Sequence, residues 1–102
     1  MALVLLIFAA ALEVGGDALC RAGLRGGKGG LLILGGAVLW LYGITVNTPG
    51  WNFGRLLGVY IAVFFVVSQV VAVGVFREPI SLPMLIGGAL IVAGGLVLSL
   101  RA

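Results

Sequence analysis

The chain has 102 residues, of which 63% are hydrophobic and only 9% charged, with 18 glycines and no histidine. So few polar groups cannot cover a water-soluble globule, which places the chain in a membrane. The net charge of +3 comes from basic residues that lie singly at the ends of apolar runs. That pattern fits insertion and lipid headgroups rather than nucleic-acid binding.

A membrane-spanning helix needs about 20 apolar residues, so four helices would use about 80 of the 102 and leave no room for a soluble domain. The expected fold is therefore all-α, a single four-helix transmembrane domain over 1–102, with helices at about 2–22, 30–47, 55–76 and 82–100. A barrel would require alternating polar and apolar residues, and these runs do not alternate. The short loops make consecutive helices antiparallel neighbours.

The first run, Ala2 to Leu19, carries Glu13 near its middle. An ionised carboxylate at the centre of a membrane helix costs roughly 2.5–3.5 kcal/mol on insertion scales, and such residues mark ion, proton or substrate paths. The alternative is a protonated, hydrogen-bonded helix contact. Asp17 and Arg21 follow at intervals of four, so all three lie along one face from mid-membrane toward the surface, with Asp17 spaced to pair with Arg21. Asp17 and Arg21 are equally compatible with plain solvation or snorkelling at the interface. Ala9-Ala10-Ala11 imitates a secretory cleavage site, but no basic residue precedes it, so the first helix is expected to be retained. Cys20 is the only cysteine, which excludes an internal disulfide.

Gly26-Gly27-Lys28-Gly29-Gly30 is expected to break the chain before the second helix. That helix carries Trp40 and Tyr42, which with Tyr60 of the third could offer a ring face or hydroxyl to a cation. Membrane aromatics also serve as interfacial anchors or packing, the role expected of Trp51 and Phe53. Asn47-Thr48-Pro49-Gly50 is a turn cluster. In the third helix Arg55 and Gln69 fall on roughly the same face, being fourteen residues apart at about 100° each. Gln69 with Ser68 is suited either to hydrogen bonding between helices or to lining a path.

Arg77-Glu78-Pro79 ends the third run, and Ser81-Leu82-Pro83 reads as a helix start, with Ser81 as cap and Pro83 in the first turn. The fourth helix has no charge and repeats its glycine pairs after seven residues, Gly87-Gly88 and Gly94-Gly95. Such a strip of small residues suits close packing of another helix, and dimerisation is its expected task. A dimer would also create a central cavity that one thin four-helix bundle lacks. Arg21, Arg25, Lys28 and Arg77 lie in loops on one side against Arg55 and Arg101 on the other. This bias favours both termini outside and is small enough to allow dual insertion.

These residues resemble the small multidrug resistance superfamily over nearly the whole length. Leu12-Glu13-Val14 is similar to its first-helix Glu-Val, and Phe76-Arg77-Glu78-Pro79-Ile80 is similar to its third loop. Gly87-x-x-Leu90-Ile91-x-x-Gly94 matches its dimerisation pattern, and Trp40-Leu41 a Trp-Leu pair of its second helix. Where typical exporters open the third helix with Gly-x-Ala-Tyr-Ala-x-Trp, this chain has Gly54-Arg55-Leu56-Leu57-Gly58-Val59-Tyr60, closer to the YnfA-type branch. The resemblance implies an antiparallel homodimer in the bacterial inner membrane that exports small cationic compounds against protons, with Glu13 as the shared site. On that basis Tyr60, Trp40, Tyr42, Asp17, Arg55 and Gln69 are candidate pocket residues, and Gly87, Leu90, Ile91 and Gly94 the dimer contact.

The competing expectation is a membrane subunit or lipid-linked-sugar accessory protein that does not itself transport. An enzyme is not expected, because there is no histidine, the lone cysteine lacks a base, and no residues cluster as metal ligands. No cofactor is implied.

Overall fold

Apolar runs of this length leave the backbone no partner in lipid but itself, and the helix is the element that pairs every amide within one segment. A computed structural model describes residues 2–100. It contains four helices: α1 Ala2–Gly26, α2 Gly29–Val46, α3 Phe53–Gly74 and α4 Leu82–Leu100. No strand occurs among the described residues. All four helices are long and apolar enough to cross a membrane.

The helix ends follow from local chemistry, with one correction. The glycine-rich segment Gly26 to Gly30 does not break the helices as widely as expected: α1 continues to Gly26 and α2 already begins at Gly29. Gly27 alone makes the reversal, at φ +64°, a backbone conformation that costs glycine nothing. Asn47 and Thr48 do more than turn the chain. The Asn47 side-chain amide donates to Gly43 O at 2.8 Å, and the Thr48 hydroxyl donates to Ile44 O at 3.0 Å. The last carbonyls of α2, which have no partner within the helix, are satisfied in this way. At α4 the expected start is present, since the Met84 amide donates to Ser81 Oγ at 3.3 Å and Pro83 occupies the first turn.

The chain divides into two compact helical hairpins, residues 1–48 and 49–102. In the first, α1 and α2 run antiparallel and meet through glycine. A Cβ on Gly16 would lie 3.1 Å from Gly35 O, and one on Gly35 would lie 2.9 Å from Gly16 O, so the two backbones touch at this crossing. Gly23 repeats the arrangement one crossing further on, against Leu32 N and Lys28 O. In the second hairpin α3 and α4 are joined by small-against-large packing. Phe65 fills the space over Gly88, Leu98 lies over Gly58, and Ala62 meets Gly95.

Both hairpins expose large apolar side chains along their lengths, with Ile33 at 76% and Leu90 at 71% exposure. Surfaces of this kind suit a hydrocarbon solvent or a partner helix.

Arg55 ties the ends of the second hairpin together. Its Nε donates to Leu98 O and its Nη2 to Ser99 O, each at 3.2 Å, while the guanidinium lies 4.2 Å from the centroid of the Trp51 ring. A cation on the carbonyl end of a helix opposes the negative pole of the helix dipole and satisfies groups that have no partner within α4. Arg55→Gln is expected to destabilise the second hairpin by about 1.5–3 kcal/mol, the scale of charged hydrogen bonds. A drop in its denaturation midpoint in mixed micelles checks this, and an unchanged midpoint would sink the capping role.

Candidate functional site

Charged and polar side chains are scarce within the helices, and none is fully buried among the described residues. Glu13 is half-buried near the centre of α1, one position before the buried Val14 and three before the packed Gly16. The helix places it deep in the span because neither end of α1 is within ten residues of it. Glu13, Tyr42 and Tyr60 are each engaged by a neighbour in the structure.

The remaining candidates separate. Asp17 lies one turn from Glu13 and is exposed, and of the two readings its spacing allows, pairing with Arg21 or plain solvation, no ion pair is formed. Both side chains are exposed, while Gly16, Cys20 and Gly23 of α1 face α2. On α2, Trp40 is 69% exposed whereas Tyr42 is half-buried. Two residues apart on a helix, they project about 200° from each other, so a single surface cannot use both rings side by side.

In the second hairpin Tyr60 is buried and its ring packs on Phe64, with centroids 6.0 Å apart and planes tilted by 39°. Arg55 is engaged with the α4 terminus rather than with Gln69, although the two share a helix face. Ser68, suited with Gln69 to bridging helices or lining a path, donates its hydroxyl to Phe65 O of its own helix at 2.8 Å. Gln69 lines a groove of about 380 Å³ between α3 and α4, together with Phe65, Met84 and Val92. The groove is otherwise apolar, so Gln69 supplies its polar lining.

The fourth helix divides its glycines between two faces. Gly88 and Gly95 are buried against α3, while a Cβ on Gly87 or Gly94 would meet nothing within 4 Å. Leu90 and Ile91 are exposed. This division was not legible in the repeat itself, because adjacent glycines look alike until a neighbour covers one of them.

Among the described residues, no three histidine, cysteine or carboxylate side chains come close enough to hold a metal ion.

Four spanning helices with one mid-membrane acid and only short connections define an integral membrane protein of the small polytopic class. Its relatives are likewise named as membrane proteins. The chain is 33% identical over 96 residues to UPF0060 membrane proteins of Staphylococcus aureus strains JH9 and Newman, covering 92% of this chain and 89% of each relative. The chain belongs to the UPF0060 family of membrane proteins. No family model and no solved structure matches it.

Proposed function

We propose that this protein is a homodimeric transporter that exports cationic compounds in exchange for protons at Glu13. The observation that carries the reading is the half-buried carboxylate near the centre of α1 in an otherwise apolar stretch. A carboxylate inside an apolar span marks an ion or proton path, and the same two oxygens can carry a proton or face a cation but not both at once. One site that holds either species, never both, couples their movement in opposite directions.

Dimerisation completes the reading. The face of α4 that bears Gly87, Leu90, Ile91 and Gly94 is open, and small residues allow two helices to approach closely in lipid, where no hydrophobic force drives them together. Trp40, outward-facing on α2, is available as a pocket wall once a second copy is present. A cation over its ring would gain about 0.5–2 kcal/mol. Arg55 serves this reading by holding α4 in place.

The test is proton release when hydrophobic quaternary ammonium compounds are added to the protein in weakly buffered detergent. Wild type is expected to release protons in proportion to cation bound, and Glu13→Gln to release none. Release that persists in Glu13→Gln would remove the shared site, and no release from wild type with any cation tested would favour the accessory role.

A further inference from the structure

The turn of the first hairpin carries a charge excess that the transport reading does not use. Arg21, Arg25 and Lys28 supply three of the six basic residues within eight positions, and no acidic residue follows Asp17 until Glu78. All three side chains are exposed. Arg21 and Arg25 are one turn apart on α1 and therefore on one face, about 6 Å from each other along the axis. The acids of this hairpin are Glu13 and Asp17; Asp17 lies one further turn into the helix and makes no ion pair with Arg21.

The turn that presents Lys28 is pinned rather than loose. Its amide donates to Gly23 O at 2.9 Å, and its carbonyl accepts from the Leu31 amide at 3.2 Å. The missing side chain of Gly23 makes this possible, since a Cβ there would lie 3.0 Å from Lys28 O and 2.8 Å from Leu32 N. Lys28 is thereby held against Gly23 in the last turns of α1. Leu24, on the neighbouring face of α1, is 71% exposed, and Ile33 at the start of α2 is 76% exposed. Cations at the end of two spanning helices, with bare aliphatic side chains immediately beside them, match a molecule that is anionic at one end and aliphatic at the other.

We infer that the α1–α2 turn, through Arg21, Arg25 and Lys28, is a docking surface for the phosphate of an anionic phospholipid headgroup, with Leu24 against the upper acyl chain. Charge complementarity selects the headgroup, and the exposed Leu24 and Ile33 select a lipid over a water-soluble phosphate or an acidic protein. Each cation near an anionic membrane surface contributes about 1 kcal/mol, or about fivefold in affinity. Full removal of the three-cation cluster therefore costs about a hundredfold.

The experiment is lipid titration of the full chain in neutral detergent, read by native mass spectrometry, with phosphatidylglycerol and phosphatidylcholine of identical chains. Wild type is expected to prefer phosphatidylglycerol by tenfold or more. The triple variant Arg21→Gln, Arg25→Gln, Lys28→Gln should bind the two lipids within about threefold of each other. Arg77→Gln, in the other hairpin, should keep the wild-type preference, as should the charge-preserving triple variant Arg21→Lys, Arg25→Lys, Lys28→Arg. Equal binding of both lipids by wild type, or a preference that survives in the glutamine variant, would overturn the proposal. Competition by glycerol phosphate at concentrations equal to the lipid would overturn it as well, because the site would then read the phosphate alone.

Discussion

Replacing Gly35 with leucine is expected to disrupt the first hairpin, whereas Gly36→Leu, one residue on, leaves it folded. The difference lies in what a side chain would strike. At Gly35 a Cβ would fall 2.7 Å from Cys20 Sγ, 2.9 Å from Gly16 O and 3.0 Å from Cys20 N. Two of these atoms belong to backbone, which cannot rotate aside as a side chain can. At Gly36 a Cβ meets nothing within 4 Å. Overpacking a well-fitted core costs typically 1–3 kcal/mol, and a clash with backbone that forces two helices apart lies at or above the top of that range. Association of helices in lipid depends on close van der Waals contact, so little remains to hold the pair once the backbones separate. Both variants gain about 0.8–1 kcal/mol of helix propensity over glycine, so that effect cancels between them. Denaturation midpoints in mixed micelles, followed by circular dichroism, decide the matter. Gly35→Leu should fall well below wild type and Gly36→Leu should stay near it, and coinciding midpoints would show that the Gly16–Gly35 crossing is not what holds α1 to α2.

A second pair of neighbouring glycines is expected to separate folding from assembly. Gly88 lies under Phe65, whose ring atoms would be 2.6 and 2.9 Å from a Cβ, and Gly95 lies against Ala62. Gly88→Leu with Gly95→Leu should therefore destabilise the second hairpin by about 3 kcal/mol or more. Gly87 and Gly94 sit about 100° round the helix from them, on the face that carries Leu90 and Ile91. Gly87→Leu with Gly94→Leu should leave the unfolding midpoint close to wild type yet weaken the proposed dimer tenfold or more, since bulky side chains keep the two α4 helices from close approach. Light scattering after size exclusion measures the mass, and the same micelle denaturation measures the fold. If the Gly87/Gly94 variant remains dimeric, the proposed contact is elsewhere. If it unfolds as readily as the Gly88/Gly95 variant, the assignment of faces is wrong.

Much of this architecture was legible along the chain because its causes are local. A backbone in lipid must satisfy its own hydrogen bonds, so each long apolar run had to be a helix, and four were found close to where they were expected. Ser81 and Pro83 mark the start of α4 through chemistry confined to one turn. The depth of Glu13 follows from counting residues in α1. α1 runs further than its glycine-rich end suggests, because the close fit of Gly23 against the α2 entry keeps α1 helical up to a single reversal at Gly27.

Sequence by itself determined the solvent, the number of spans and the mid-membrane position of the acid, since hydropathy, helical rise and backbone hydrogen bonding act within one segment. Only the tertiary structure decided which member of each glycine pair is used: Gly16 rather than Gly15, Gly35 rather than Gly36, Gly88 and Gly95 rather than Gly87 and Gly94. It likewise turned Arg55 toward the carbonyl end of α4, and there Leu98 and Ser99 are more than forty residues away in the chain. Neighbouring glycines are identical in composition and propensity. They differ in direction by about 100° of helix, and direction acquires an energetic consequence when a second helix arrives on one side.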